Sequence, residues 1–84
     1  MKKNIEVKFT QRFLKGIQVL DREVQVRMLR EINILKTNPR SGKPLRGEWK
    51  GVYSLRIGDY RALYQIKGNE VFLLVIGHRK RVYE

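Results

Sequence analysis

Arg56 and Arg61 stand two residues to either side of the dipeptide Gly58-Asp59, and a second basic cluster, His78-Arg79-Lys80-Arg81, runs toward Tyr83. If Gly58-Asp59 is a two-residue hairpin turn, Ile57 faces Tyr60, Arg56 faces Arg61, Leu55 faces Ala62 and Ser54 faces Leu63. Like charges opposed across two strands cost up to about 1 kcal/mol, so an anion held between the guanidiniums would account for the pairing. Phosphate suits that place, because arginine's planar fork binds it through two hydrogen bonds at once. Counting on through Gly68-Asn69 predicts Phe72, Leu74, Ile76 and His78 on the face of Arg61, and a bulge at Gly77 would give that place to Arg79. Guanidiniums, an imidazole and a phenol would then surround one phosphate. That inventory suits RNA, with planar groups for splayed bases, donors for phosphate and one group able to move a proton.

The elements that must position these side chains follow from periodicity. Ile5, Val7 and Phe9 alternate with Glu6 and Lys8, which predicts a strand. Thr10 predicts an N-cap for a helix over 10–20 that carries Phe13, Leu14, Ile17 and Leu20 on one stripe. Asp21 predicts the cap of a second helix with Val24, Met28, Leu29, Ile32 and Leu35 inward, ended by Asn38-Pro39. Residues 39–51 hold Pro39, Gly42, Pro44, Gly47 and Gly51 and read as a basic surface loop. Its Arg40, Lys43, Arg46 and Lys50, with Lys80, Arg81, Lys2, Lys3 and the helix arginines, are assigned to backbone-phosphate contacts with RNA. Three strands over 52–57, 60–66 and 71–76 complete a βααβββ order. Tyr53, Leu55, Ile57, Tyr60, Ala62, Tyr64 and Ile66 are predicted on the helix-covered face, with Trp49 covering an edge of the core. The expected fold is a small α+β domain spanning 1–84, an antiparallel sheet with two N-terminal helices on one face.

Composition sets the limits. The chain has 84 residues, 42% of them apolar, enough for one modest core. Lysine and arginine number 19 against 8 acidic residues, a net charge of +11, which calls for a polyanionic partner. With no cysteine and a single histidine, neither a cysteine-based nor a histidine-cluster metal site is expected. No apolar run approaches the roughly 18 residues of a membrane span, and a soluble, cytoplasmic protein is expected.

The runs Pro44-Leu45-Arg46-Gly47, Tyr53-Ser54-Leu55-Arg56-Ile57-Gly58-Asp59-Tyr60-Arg61-Ala62-Leu63-Tyr64-Gln65-Ile66 and Gly77-His78-Arg79-Lys80-Arg81-Val82-Tyr83 together resemble the RelE/ParE superfamily of bacterial and archaeal toxins, the RelE branch in particular. The resemblance implies a RelE-like fold and the toxin of a type II toxin–antitoxin pair. It further implies a ribosome-dependent mRNA endonuclease, an mRNA interferase that cuts in the A site with the RNA's own 2′-hydroxyl as nucleophile and without metal or cofactor. Implied partners are the 70S ribosome with its mRNA and a RelB-like antitoxin, expected to be an acidic, amphipathic segment. The family's strand arginine maps onto Arg61, its basic residue on the preceding strand onto Arg56, its C-terminal arginine onto Arg79 and its terminal tyrosine onto Tyr83. His78 falls where relatives carry a basic residue or histidine. Two features depart from the pattern: Ser54 stands where well-characterised members have lysine, and the sequence ends at Glu84 without the short C-terminal helix of some relatives. Arg61, Arg79 and Arg56 are accordingly expected to stabilise charge, His78 to transfer the proton and Tyr83 to orient the substrate. A ParE-like gyrase poison, a non-catalytic RNA- or DNA-binding module and an inactive toxin-fold protein stand as alternatives.

Overall fold

Thr10 does more than cap a helix. Its hydroxyl accepts from the Phe13 N–H at 3.1 Å and donates to the Leu74 carbonyl at 2.8 Å, while its own N–H donates to the Leu73 carbonyl at 3.1 Å. In a regular strand successive carbonyls point to opposite neighbours, so one residue that takes both requires a local break in the ladder. The computed structural model, which describes residues 4–80, places that break in the last strand.

The elements run β1 (Glu6–Phe9), α1 (Gln11–Gln18), α2 (Arg22–Ile34), β2 (Lys43–Pro44), a single 3₁₀ turn (Gly47–Trp49), β3 (Val52–Ile57), β4 (Tyr60–Lys67) and β5 (Glu70–His78). They form one five-stranded sheet in the order β1-β5-β4-β3-β2. The α+β class is as expected, but the sheet differs at both edges. β1 lies parallel to β5, with Glu6 beside Glu70 and Phe9 beside Leu73, so the sheet is mixed rather than wholly antiparallel. At the opposite edge the basic loop contributes β2, whose Lys43 and Pro44 pair with Ser54 and Tyr53.

The predicted β3–β4 register is present in every pair, from Val52 with Gln65 to Arg56 with Arg61 and Ile57 with Tyr60. Gly58 has φ +58° and Asp59 stays in the negative range, the sign pattern of a type II′ hairpin turn. Tyr53, Leu55, Ile57, Tyr60, Ala62, Tyr64 and Ile66 all join the core under the helices, with Phe13, Met28, Ile32, Leu35, Val71, Leu73 and Ile76. Leu29 and Leu14, expected inward, are 48% and 40% exposed. The other face carries a smaller cluster of Val52 and Leu63 covered by Leu45, Trp49, Leu74 and Val75, so Trp49 does act as cover.

The two helices are joined by Gln25, whose amide donates to the carbonyls of Ile17 (2.8 Å) and Leu20 (2.9 Å) and so ties α2 to the end of α1 and the turn that follows it. Asp21 precedes α2 as expected but makes no side-chain cap bond. α2 ends at Ile34, four residues before Asn38, in tight turns from Leu35 to Ile32, Lys36 to Asn33 and Thr37 to Ile34.

Candidate nucleic-acid interface

The face of β3 and β4 turned away from the helices is built in rungs. Lys43, Ser54, Leu63 and Val75 are successive cross-strand partners from β2 to β5, and Arg56, Arg61 and Gly77 form the next rung. An open cleft of about 360 Å³ lies over the outer half of these rungs, lined by Ser41, Gly42, Lys43, Ser54, Leu55, Arg56 and Arg61. Two of its polar atoms are buried without any hydrogen-bond partner, the Ser54 hydroxyl and the Arg61 Nε. Ser54 is only 4% exposed. A buried donor left unpaired costs about 1–3 kcal/mol, and the fold places two of them beside the opposed Arg56 and Arg61. An anion in the cleft would relieve both the unpaired donors and the like-charge contact.

The loop that walls the cleft is pinned from beneath. Tyr64, fully buried in β4, donates its hydroxyl proton to the Pro39 carbonyl at 2.8 Å and accepts from the Gly42 N–H at 2.9 Å. Tyr53 stacks on Tyr64 with ring centroids 5.4 Å apart, and its hydroxyl accepts from Arg40 Nη1 at 3.2 Å. Burial pushes the Tyr64 phenol above its ordinary value of 10.0. Its folded-state value is thus the higher one, and the stabilisation is complete below pH 10 and lost above it, where the unfolded chain ionises first. We expect the unfolding free energy measured with urea to fall as the pH rises above 10, by up to about 1.4 kcal/mol per pH unit for this group. Tyr64→Phe should show a correspondingly shallower decline.

The break in β5 redistributes the expected site residues. Leu63 pairs with Val75 and Tyr64 with Leu73, which leaves Leu74 as the extra residue. Phe72, opposite Gln65, keeps its predicted place, flanked by the ammonium groups of Lys8 and Lys67, each 5.9 Å from its ring centroid. Beyond the bulge the parity reverses. Ile76 enters the helix-side core, Gly77 rather than Ile76 faces Arg61, and His78 pairs with Tyr60 on the opposite face. The His78 ring meets Tyr60 edge-on at 5.9 Å, and its Nδ1 accepts from the Lys80 N–H at 3.3 Å. The predicted convergence of His78 on Arg56 and Arg61 is therefore corrected: the bulge comes at Leu74, three residues before Gly77, because Thr10 holds it there.

Arg79 is exposed just past β5, and its N–H donates to the Asp59 carbonyl at 2.8 Å, so its backbone closes on the β3–β4 turn. Arg46, Lys50 and Lys80 are exposed and line no part of the cleft. Arg81 and Tyr83, with Lys2 and Lys3, lie outside the described residues. Two further features escaped the sequence reading. Ser54 and Lys43 belong to the cleft itself, and Arg56 also lines a smaller hollow of about 160 Å³ with Arg27 and Arg30 of α2. The helix spacing of Arg27 and Arg30 could have suggested the hollow, but nothing local to residue 43 marks it as a strand opposite Ser54.

Comparison with known proteins identifies the family and the fold. Residues 7–83 match the family described as the ParE toxin of type II toxin–antitoxin system, parDE. Toxin RelG of Mycobacterium tuberculosis is 46% identical over 46 residues, 52% of this chain and 53% of that protein, so the match spans about half the length of that curated relative. The crystal structure of the toxin–antitoxin complex RelBE2 from Mycobacterium tuberculosis superposes with TM-score 0.82 at 32% identity, over 92% of this chain and 100% of that one. The intact Escherichia coli RelBE toxin–antitoxin complex gives TM-score 0.78 at 25% identity, over 88% of this chain and 95% of that one. With a family match over nearly its whole length and the same fold in these relatives, the chain belongs to the RelE/ParE superfamily of type II toxins.

Proposed function

We propose that this protein is a ribosome-dependent endoribonuclease that cuts mRNA in the A site. The observation that supports the reading is the cleft in which Arg56 and Arg61 stand opposed beside two buried, unpartnered donors. In the proposed step the RNA 2′-oxygen loses its proton and bonds to the adjacent phosphorus, the bond from phosphorus to the 5′-oxygen breaks, and that oxygen gains a proton. The products are a 2′,3′-cyclic phosphate and a 5′-hydroxyl. Negative charge grows on the non-bridging oxygens in between, and donors already fixed in place stabilise it without reorganising. Arg61 and Arg56 do this from the sheet, Arg79 joins them from beside the hairpin turn, and Tyr83 orients the substrate. The reading is metal-independent, as the resemblance implies, and asks no residue here to hold an ion. Arg40, Arg46, Lys50, Lys80 and Arg81 contribute phosphate contacts to the ribosome, so association weakens steeply with salt.

The proposed partner in control is a RelB-like antitoxin segment, acidic and amphipathic, that covers the arginine face or displaces the C-terminal residues. Across the sheet from that face, an apolar groove on the helix layer, where Val7, Phe9, Leu29 and Ile32 lie beside Lys36, offers a separate seat for an apolar stretch of the same partner.

The test incubates the protein with programmed ribosomes and mapped mRNA, and separately with gyrase and supercoiled DNA. A-site cuts support the endonuclease. Gyrase-dependent DNA breaks would instead support the gyrase poison, the reading that the ParE description of the matching family favours. Activity in neither assay leaves a binding module or an inactive toxin. The same ribosome assay checks the corrected position of His78. A positioned acid or base contributes 10²–10⁴-fold, whereas His78→Ala is expected to cut within about tenfold of the wild-type rate because its ring lies across the sheet from Arg61.

A further inference from the structure

Lys43 looks at first like one more cation of a basic loop, but the register gives it a different neighbourhood. As the cross-strand partner of Ser54 it shares that residue's face, and directly opposed residues have Cβ atoms about 4.5–5.5 Å apart. Ser54 in turn lies one rung from Arg56, and all three line the cleft with Arg61. Among the described residues no carboxylate lines this cleft, so its cations have no counter-charge from them there. The Ser54 hydroxyl, enclosed and unpartnered, points to a ligand whose oxygen it can meet, and Lys43 is the charged group directly across from it.

The backbone that carries Lys43 is also held more firmly than a surface loop requires. Gly42 hands its N–H to the buried Tyr64 hydroxyl, and a Cβ at this position would come within 2.6 Å of that oxygen and 3.0 Å of the Ser54 carbonyl. Lys43 therefore starts from a fixed point one residue from the Tyr64 anchor, as a preorganised binding group must. Lys50, in the same stretch of chain, lines no part of the cleft.

We infer that Lys43 binds the scissile phosphate itself, reaching from β2 across Ser54, whose hydroxyl donates to the same phosphate. This rests on the reading of the cleft as a phosphate site and goes beyond it, because Lys43 moves from the outlying backbone-phosphate contacts into the reaction centre. A lysine at position 54 is then unnecessary: the cation comes from the neighbouring strand.

The experiment titrates the ¹⁵N-labelled full chain with a trinucleotide whose 2′-hydroxyls are methylated, which binds but cannot be cut, and follows the Ser54 and Arg61 amide resonances. Lys43→Met is expected to weaken binding at least tenfold and to remove the Ser54 shift. Lys15→Met, which deletes the same charge on α1 outside the cleft, should cost no more than threefold and keep the Ser54 shift, and Lys43→Arg should bind within threefold of wild type. Equal losses from Lys43→Met and Lys15→Met, with the Ser54 shift intact in both, would overturn the inference while leaving the phosphate cleft standing. Wild-type binding that moves neither Ser54 nor Arg61 would overturn the cleft reading and the role of Lys43 with it. Lys43 is exposed, so unchanged unfolding midpoints will show that the variants are folded.

Discussion

Arg61→Met is expected to lower ribosome-dependent mRNA cleavage by about 10²–10³-fold, the loss that follows when one preorganised donor is removed from a charge-stabilising site. Methionine retains an apolar stem of similar length and removes the guanidinium. The sign of the accompanying stability change is the sharper part of the prediction. In the free protein Arg61 opposes Arg56 and buries an Nε with no partner. Each of these features costs stability, the charge pair by up to about 1 kcal/mol. The variant should therefore unfold at the same urea concentration as wild type or at a higher one. Activity lost with stability kept or gained is what a residue placed for a ligand should show. A variant that is both inactive and less stable would instead make Arg61 a structural residue. Arg61→Lys keeps the charge without the planar fork and should fall between the two in rate.

Gly42→Ala is expected to destabilise the fold by about 3 kcal/mol, an exceptional cost for one methyl group near the surface. The added carbon would meet the Tyr64 hydroxyl at 2.6 Å, the Tyr64 ring at 2.9 Å and the Ser54 carbonyl at 3.0 Å, and Tyr64 itself is fully buried and stacked on Tyr53. Neither neighbour is a flexible chain end, so the loop must lift. Lifting it breaks the hydrogen bond from Gly42 to Tyr64, loosens the one from Tyr64 to Pro39, and moves the cleft wall. Overpacking of this kind costs about 1–3 kcal/mol by itself, and the stranded phenol adds about 1 kcal/mol or more. Chemical denaturation measures the first effect. Affinity for the methylated trinucleotide, measured where the variant is still folded, should fall too. Tyr64→Phe in the Gly42→Ala background provides the control: removal of the oxygen opens the space the methyl needs, so the double variant should be more stable than the sum of the two single changes predicts.

How much of this could be read beforehand differs from strand to strand, for physical reasons. β3 and β4 have one polar and one apolar face, and a two-residue turn leaves no freedom in their pairing, so the opposition of Arg56 and Arg61 was legible from residue order alone. The apolar run in β5 has no such contrast. When both faces are apolar a one-residue slip leaves the pattern unchanged, and the bulge that moves Ile76 and His78 across the sheet is invisible locally. Its cause is Thr10, sixty-four residues away in sequence. Thr10 was legible as a cap, but its second bond, to Leu74, belongs to the assembled fold. The same holds for Lys43. A two-residue strand between Gly42 and Leu45 carries no periodicity, and only the Tyr64 anchor shows why the chain lies flat enough there to pair. Ser54 was noticed as a departure from a family pattern, yet its orphaned hydroxyl needed atomic surroundings to be seen.

The parallel pairing of β1 with β5 also has a consequence in time. β1 spans residues 6 to 9, yet its partners run from Glu70 to Leu73, so nearly the whole chain must be made before the first strand has anything to pair with. The helices can form early from local contacts, while closure of the sheet waits for the slow, entropically costly meeting of distant segments. Thr10 binds Leu73 and Leu74 in that same event, so the bulge that sets the parity of the Arg61 face is among the last features to form. During synthesis the chain thus passes through an interval in which β1 and the helices precede the finished sheet and the cleft that Arg61 lines.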